Sequence, residues 1–378
     1  MTLELTHSAP AEVGLRTPAP RPRGDRLNPA AFAPPEDAGP AAGVLDAVGQ
    51  TPCVRLRRLH FGRDLRLFAK MECCNPGGSM KDRPSRRMVE TALREGRLRP
   101  GMTVVESSSG NMAVGLAQAC AYHGVRFLCV ADVRTQAANL ALVRAYGGDV
   151  EVVERPDPET GDFLTARLNR VRQLLAGRPG MVWLNQYANA ENPAAHEAGT
   201  MRELLRQSRG LDAVFVATST TGTLNGVLAC VEGQSPQTRV FAVDSAGSVL
   251  FGGAAGPRRI SGLGAGVEPP LSKAARPDAV LRVDDADCVV GCRALVRLEG
   301  VLAGGSGGGL ISAIAAAADS LPASSRIGLI LADHGSRYLS TVYDDAWVRD
   351  ACGLPAEALN RRVEALVDQA AAARREAA

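Results

Sequence analysis

The chain has 378 residues, of which 46% are hydrophobic, so it is long enough to bury the cores of two domains. Its 43 basic and 40 acidic residues give a formal net charge of +3 and are spread along the sequence. This balance argues against a surface built for nucleic acid or an anionic membrane. No stretch reaches the roughly 18 apolar residues of a spanning helix, and we expect a soluble cytoplasmic protein.

The nine cysteines show neither paired CxxC spacing nor the histidine neighbours of a metal site. Cys288 and Cys292 are four positions apart and can face each other on a helix. Core packing is the more frequent explanation for such a pair, because free cysteine behaves as a small hydrophobic residue. We therefore expect reduced thiols and no metal site.

Residues 1–42 are rich in proline, alanine and glycine and have no hydrophobic period, which predicts a mobile extension. From residue 44 onward the pattern changes to alternating strands and helices. The predicted strands cover residues 65–72, 104–105, 125–131, 150–153, 181–184, 213–217, 239–244, 280–283 and 327–332. The predicted helices cover residues 85–95, 112–123, 136–146, 164–175, 194–207, 223–232 and 286–299, with one more opened by the glycine cluster 304–309 and ending near residue 320.

This alternation, with nearly continuous apolar strands, predicts an α/β protein with two open, twisted, mainly parallel sheets flanked by helices. The final residues, 351–378, are rich in alanine, arginine and glutamate and predict a C-terminal helical tail.

Lysine is scarce, because Lys70, Lys81 and Lys273 are the only three in the sequence. Lys81 follows a predicted strand and lies in segment 75–84, between a glycine turn and the start of a helix. Unlike arginine, a lysine amine can lose its proton, attack a carbonyl and act as a base. The local residues alone fit a solvated lysine at a helix start equally well.

Three further loops carry small or polar residues, and the first two lie where a predicted strand meets a helix. Segment 106–111 can hold a carboxylate against the positive end of a helix, or can simply cap that helix. Segment 217–226 has four hydroxyls between Ser219 and Thr223 and a glycine for a tight turn, which is the chemistry of a phosphate cradle without the GxxxxGK pattern. A Ser/Thr-rich turn without a ligand fits as well. The glycine cluster 304–309 lacks the GxGxxG register, so by itself it indicates only close backbone approach.

The order of these motifs resembles the cysteine synthase family, whose members are fold-type II enzymes that use pyridoxal 5′-phosphate. The matching segments are the lysine loop, the Ser-Gly-Asn loop, residues 185–187 with Asn192, Pro193 and His196, the Ser/Thr-Gly loop, the glycine-rich serine loop and residues 335–341. The resemblance covers about residues 44–348. It implies a larger cofactor-binding domain of residues 43–84 and 186–350, and a smaller mobile domain of residues 85–185 that clamps the substrate. It also implies a homodimer that acts on small amino-acid substrates, with no nucleic-acid or membrane partner.

The resemblance implies a role for each matching residue. Lys81 is expected to form the Schiff base and to act as the catalytic base, Asn111 to bond the 3-hydroxyl of the cofactor, and Ser306 to face its pyridine nitrogen. The cofactor phosphate is expected to bind Ser219, Thr220, Thr221, Gly222 and Thr223. The expected substrate-binding residues are Ser107, Ser108, Ser109, Gln186, Met112, Tyr187 and Arg83. For Arg83 a structural ion pair or a plain helix-surface position is an equally good explanation.

Two departures indicate a branch of this family. Cysteine synthases have threonine at the position of Met112 and a Gly-Thr-Gly-Gly-Thr phosphate loop in place of residues 219–223. Together with segments 185–189 and 243–252, these features resemble a siderophore-pathway branch. That resemblance implies β-replacement on O-phospho-L-serine by the amine of L-glutamate, through an aminoacrylate intermediate. The products are phosphate and N-(2-amino-2-carboxyethyl)-L-glutamate, a precursor of 2,3-diaminopropionate.

Two alternatives stay open. A cysteine synthase or O-phosphoserine sulfhydrylase shares the first half of the reaction and uses sulfide as the acceptor. A cofactor-binding scaffold without catalysis is the other, although the presence of Lys81, Asn111 and Ser306 argues against it.

Overall fold

A computed structural model describes residues 41–372. The predicted mobile extension therefore lies outside the described residues except for its last two positions, as do residues 373–378 of the predicted tail. The strands are β1 (Cys53–Leu56), β2 (Arg66–Met71), β3 (Thr103–Ser107), β4 (Arg126–Asp132), β5 (Asp149–Val153), β6 (Met181–Trp183), β7 (Ala213–Ala217), β8 (Arg239–Ser245), β9 (Ala279–Val283) and β10 (Arg326–Leu331).

The helices are α1 (Asp82–Arg94), α2 (Asn111–Tyr122), α3 (Ala137–Ala145), α4 (Phe163–Gly177), α5 (Glu191–Ala195), α6 (Arg202–Ser208), α7 (Gly222–Gln234), α8 (Asp285–Glu299), α9 (Gly305–Ala317), α10 (Asp345–Cys352) and α11 (Ala356–Ala371). A π-helical segment, His196–Met201, joins α5 to α6, so the helix predicted over 194–207 is part of a longer helical run. Helix α1 begins three residues before its predicted start, because Pro84 lies in the first turn, where its missing N–H breaks no intrahelical bond.

The strands form two sheets. The larger sheet has the order β1-β2-β10-β7-β8-β9, and the smaller has the order β5-β4-β3-β6. Only the β1–β2 pairing is antiparallel among these described strands, and every other pairing is parallel. The sheets therefore have the mainly parallel α/β architecture that the sequence predicts.

Helices cover both faces of the larger sheet. On one face, buried residues of α8, α9 and α11 pack with the sheet, and Phe215 stacks on Phe241 with ring centroids 4.6 Å apart. On the other face, α6 and α7 supply a second buried cluster. Helix α11 contributes Leu359 and Val363 to the core, so this part of the C-terminal segment is helical and packed against the body.

The smaller sheet is covered in the same way. Helices α1, α2 and α3 pack on one face, and α4 packs on the other. Parallel strands that are buried on both faces carry few polar residues, and polar side chains are then concentrated where the strands end. The loops that follow β2, β3, β7 and β10 are such ends, and they carry the motifs described above except the glycine cluster, which lies between α8 and α9.

The described part of the chain contains no helix that is both long enough and apolar enough to cross a membrane. It also contains no group of three or more histidine, cysteine or acidic side chains placed to hold a metal ion. Cys288 and Cys292 are both buried in the core, and Cys292 Sγ lies 3.4 Å from the Gly304 carbonyl oxygen. This pair packs between α8 and α9.

Candidate active site

The lysine loop lies between β2 and α1, and Lys81 is the N-cap residue of α1. Gly78 has a φ of 82°, a left-handed conformation that glycine adopts without the steric penalty of a Cβ atom. The Met80 N–H donates to the Ala332 carbonyl over 2.8 Å. The loop is therefore attached to the chain just beyond β10, which fixes the position from which the Lys81 side chain extends.

The Lys81 amine is electrostatically unusual. Burial lowers its pKa to about 8, and the nearby negative charge of Asp333 partly opposes that shift. Desolvation disfavours a charged ammonium, whereas an opposite charge favours it. A lysine with this pKa has a substantial neutral fraction near physiological pH, so it can act as a nucleophile or a base.

The loop from Ser107 to Asn111 joins β3 to α2. The Ser108 hydroxyl accepts the Ala113 N–H at 3.1 Å, so this side chain performs the helix-capping role that the sequence left open. The Ser107 hydroxyl is buried and has no hydrogen-bond partner within residues 41–372. It is therefore a candidate donor for a ligand, and Ser109 lies two residues before the first residue of α2.

Gln186 and Tyr187 are brought to this loop from almost eighty residues away. The Gln186 side-chain amide donates to the Ser107 carbonyl at 2.9 Å, and the Tyr187 hydroxyl donates to the same oxygen at 3.1 Å. Burial raises the pKa of Tyr187, so the phenol stays neutral and keeps its proton for this bond. Both side chains support the backbone of the serine loop.

The hydroxyl-rich loop Ser219–Thr223 lies at the junction of β7 and α7. The first N–H groups of a helix have no partner within the helix and carry partial positive charge, which suits a phosphate. Thr221 has a φ of 64°, and a Cβ at Gly222 would lie 2.4 Å from Asn192 Oδ1. The tight backbone thus needs glycine at position 222, where a side chain would displace Asn192.

His196 fixes one side chain of this loop. Its ring Nε2 lies 3.3 Å from the Thr223 hydroxyl, and its Nδ1 lies 3.0 Å from the Thr200 hydroxyl. Burial, together with the charges of Lys81 and Arg83, lowers the pKa of His196 well below its usual value. The histidine is therefore neutral and serves to position Thr223 by a hydrogen bond.

Ser306 lies in the first turn of α9 and is buried. The glycines around it allow close packing, since a Cβ at Gly308 would lie 2.0 Å from the Cys288 carbonyl oxygen. A Cβ at Gly304 would lie equally close, 2.0 Å, to Asp333 Oδ1. The glycine cluster thus brings α9 against α8 and against the end of β10, in agreement with the close backbone approach that the sequence indicates.

A polar cluster that sequence reasoning missed connects two of these loops. The Asn111 amide nitrogen donates to Asp333 Oδ2 at 2.7 Å, and the Tyr338 hydroxyl donates to the same oxygen. Arg337 donates to the Asn111 amide oxygen. Asp333 lies two residues after the buried strand β10, and this position was the one available signal, because ligand sites form at the carboxyl ends of parallel strands.

Two of the predicted substrate-binding residues, Arg83 and Met112, have partners inside the protein. Arg83 donates two hydrogen bonds to Glu72, both of 2.7 Å, and two to Glu203, of 2.7 and 2.8 Å. Lys70 pairs with the same Glu203 carboxylate at 2.7 Å. We call these four residues, Lys70, Glu72, Arg83 and Glu203, the buried ion cluster. It favours the ion-pair explanation for Arg83 over substrate contact.

Met112 is 2% exposed and packs in the core beneath the smaller sheet. Its sulfur accepts a hydrogen bond from the Ser85 hydroxyl at 3.2 Å, so its side chain lies at the contact between α1 and α2. Its side chain is enclosed by these two helices, and contact between Met112 and the substrate stays a prediction.

Asp333 joins the lysine loop, the serine loop and the glycine cluster, through its backbone pairing with Ser79, the bond from Asn111 and the bond from the Gly304 N–H. A lysine amine with a lowered pKa and a hydroxyl-rich helix start that suits an anion fit pyridoxal phosphate. The set defines a fold-type II enzyme dependent on that cofactor.

Comparison with known proteins agrees with this class. The family model described as pyridoxal-phosphate dependent enzyme matches residues 44–333, and the chain belongs to this family. Its cofactor is accordingly pyridoxal phosphate, and the predicted fold class is confirmed.

The chain is also similar to individual proteins. The chain is 44% identical over 309 residues to the N-(2-amino-2-carboxyethyl)-L-glutamate synthase of Ralstonia nicotianae, covering 82% of this chain and 91% of the relative. It is 42% identical over 310 residues to the synthase of the same name from Cupriavidus metallidurans, covering 81% and 90%. Among solved structures, a hydrogen sulfide-producing enzyme from Fusobacterium nucleatum has a TM-score of 0.74 and 29% identity, covering 79% of this chain and 100% of that one.

Proposed function

We propose that this enzyme catalyses β-replacement on O-phospho-L-serine, with the α-amine of L-glutamate as the nucleophile. The products are N-(2-amino-2-carboxyethyl)-L-glutamate and phosphate, and the pathway served is 2,3-diaminopropionate and siderophore biosynthesis. The observation that carries this proposal is the 44% identity to a relative named for that product, in an alignment that covers 91% of the relative.

The proposed cofactor contacts follow the loops of the site. Residues 219–223 hold the phosphate at the start of α7, Asn111 bonds the 3-hydroxyl and Ser306 faces the pyridine nitrogen. When bound, pyridoxal phosphate delocalises the electron pair that remains at Cα after proton removal. A neutral serine at the ring nitrogen suits elimination at Cβ, which does not need a fully protonated ring.

The proposed proton transfers belong to Lys81. Its neutral amine takes the Cα proton of O-phospho-L-serine, and the Cβ–O bond breaks as phosphate leaves. The glutamate amine then forms a bond to Cβ and loses a proton, and Lys81 returns a proton to Cα. The lowered pKa of Lys81, about 8, supports this role, since a base works best when its pKa is near the operating pH.

The proposed clamp for the substrate α-carboxylate is the serine loop 107–109 with Gln186. Two features support it: the Ser107 hydroxyl, which has no partner among residues 41–372, and the positive start of α2. Gln186 acts through the Ser107 carbonyl, which it already bonds. We propose that residues 85–185 form a mobile domain that closes when the carboxylate binds, and that closure excludes water from the reacting carbon.

We further propose a homodimer in the cytoplasm, as the family resemblance implies. Sedimentation of the purified holoenzyme tests the first part, and a monomer at micromolar concentration contradicts it.

The decisive experiment identifies the acceptor. Holoenzyme is supplied with O-phospho-L-serine and either L-glutamate, sulfide or a panel of other amines and thiols, and the products are identified by mass spectrometry. Parallel reactions with O-acetyl-L-serine test the leaving group. We expect the amino-dicarboxylate product from O-phospho-L-serine and L-glutamate.

Sulfide is the principal rival acceptor, because a solved structure of the same fold is named for hydrogen sulfide production. Acceptor choice depends on side chains of the pocket that short motifs do not report. Rapid turnover with sulfide and none with L-glutamate contradicts the proposal in favour of a sulfhydrylase.

A further inference from the structure

Asp333 lies where two loops of the site meet the end of the larger sheet. Its backbone pairs with Ser79 of the lysine loop, and its carbonyl accepts the Gly304 N–H at 3.2 Å. The residue is 4% exposed. A carboxylate so deeply buried requires compensating donors or charges, because desolvation of an isolated carboxylate is costly.

The donors come from Asn111 and Tyr338, which both bond Asp333 Oδ2. Arg337 binds the opposite end of the same amide, at the Asn111 oxygen. An asparagine amide has chemically different ends, and a donor on one side with an acceptor on the other selects one orientation. The amide nitrogen consequently faces Asp333, and it retains one more N–H that can be donated to a ligand.

The charge of Asp333 also acts on Lys81. Burial raises the pKa of Asp333, whereas the bonds from Tyr338 and Asn111 and the charges of Arg337 and Lys81 favour its ionised form. The same pairing opposes the effect of burial on the Lys81 amine. The negative charge of Asp333 also acts on the thiols of partly buried Cys73 and buried Cys292, and neither thiol supplies a positive charge.

We propose that Asp333 is a positioning residue of this site: its carboxylate fixes the orientation of the Asn111 amide and provides the negative charge opposite the Lys81 amine. This inference rests on the proposed roles of Lys81 and Asn111. It assigns Tyr338 and Arg337 to the same function, Tyr338 through Asp333 and Arg337 through Asn111.

The scarcity of lysine permits a direct test. Lys273 is exposed, whereas Lys70 is 0% exposed and paired with Glu203. Acylation of the full-length protein, followed by peptide mass spectrometry, can therefore report Lys81 with Lys273 as an internal reference. The protein is labelled across a pH series with the cofactor bound and again after its removal, and cofactor affinity is measured by absorbance titration.

In the cofactor-free protein, Asp333→Asn removes the charge and keeps the shape. We expect the midpoint pH of Lys81 acylation to fall by about one unit or more, because an opposite charge nearby ordinarily raises a lysine pKa by that amount. We also expect the cofactor to bind about ten-fold more weakly, since Asn111 loses its fixed orientation. Asp345→Asn is the control at an exposed residue. It should change neither the acylation midpoint nor the cofactor affinity, because Asp345 forms its ion pair with Arg293 at the surface.

Tyr338→Phe is the second variant, and it tests the role of Asp333 if Asp333→Asn does not fold. Without the tyrosine hydroxyl, the ionised form of Asp333 is less favoured, so the Lys81 midpoint should fall in the same direction by a smaller amount. An unchanged midpoint together with unchanged cofactor affinity in the folded variants overturns the role of Asp333.

Failure of the proposed function gives a different result. If Lys81 is the cofactor lysine, the wild-type holoenzyme protects it from acylation while Lys273 stays reactive. Equal labelling of Lys81 with and without cofactor overturns the site assignment itself, whatever the variants show.

Discussion

The buried ion cluster makes a specific prediction for the Glu203→Gln variant. Burial by itself raises the pKa of Glu203, but the hydrogen bonds and charges of Arg83 and Lys70 outweigh it and lower the pKa from 4.5 to about 2. Glutamine imitates the protonated carboxyl group, so the variant loses the interactions that favour the charged form. Glu203 is only 6% exposed, which limits screening of these interactions by solvent.

The expected loss of stability follows from the lowered pKa of Glu203. Each pKa unit corresponds to about 1.4 kcal/mol, so a shift of about two and a half units gives about 3 kcal/mol. This agrees with the roughly 3–5 kcal/mol lost when one partner of a buried ion pair is removed. We therefore expect Glu203→Gln to lower the free energy of unfolding by about 3 kcal/mol at neutral pH.

The sign of the pH dependence provides an internal check. Because the folded-state pKa is depressed, the carboxylate stabilises the fold above pH 4.5, and this contribution is lost as the pH falls toward about 2. The difference between wild type and variant should consequently shrink below pH 4.5. Glu203→Gln itself should show less acid destabilisation over that range, since it has no carboxyl group at this position to protonate.

The assay is chemical denaturation of both proteins with the cofactor at the same saturating concentration, because a ligand that binds the folded state adds to its stability. Glu95→Gln is the matched control, as Glu95 is 51% exposed and pairs with Arg97 at the surface. Its effect should be below about 0.5 kcal/mol. A loss of less than about 1 kcal/mol for Glu203→Gln, similar at all pH values, refutes the reasoning.

Three further predictions concern the site itself. Lys81→Ala should abolish turnover and the absorbance band of the Schiff-base-bound cofactor at the edge of the visible range. A variant that keeps both contradicts the assignment of Lys81 as the cofactor lysine. Ser306→Asp should slow elimination in stopped-flow measurements, because a carboxylate replaces the neutral partner of the ring nitrogen; unchanged rates mean that Ser306 does not face the ring. Gly222→Ala should weaken cofactor binding, since its Cβ would lie 2.4 Å from Asn192 Oδ1. Gly233→Ala in the same helix meets nothing within 4 Å and should leave binding unchanged; equal effects of the two variants contradict the cradle.

The fold class could be predicted from the sequence because its determinants are local. Apolar strands alternate with amphipathic helices, and glycines mark many of the places where a helix ends. Lys81 and the hydroxyl-rich loop 219–223 could be identified as candidates for the same reason, as each occupies a strand-to-helix junction that is visible in a few consecutive residues.

The sequence could not decide which side chains face the site. Arg83 follows Lys81 closely in sequence, but its guanidinium pairs with Glu203, which is 120 positions away. Met112 directly follows Asn111, but it packs against Ser85 on another helix. In both cases the direction of the side chain depends on a partner distant in sequence, which no local pattern contains.

The local sequence therefore determined the alternating α/β architecture and the candidate cofactor loops. Only the tertiary structure decided how those loops are joined, through Asp333 with Asn111 and Tyr338. The physical reason is that turns and hydrophobic periods are properties of neighbouring residues, whereas hydrogen bonds and buried charges are satisfied by whatever side chains folding brings together.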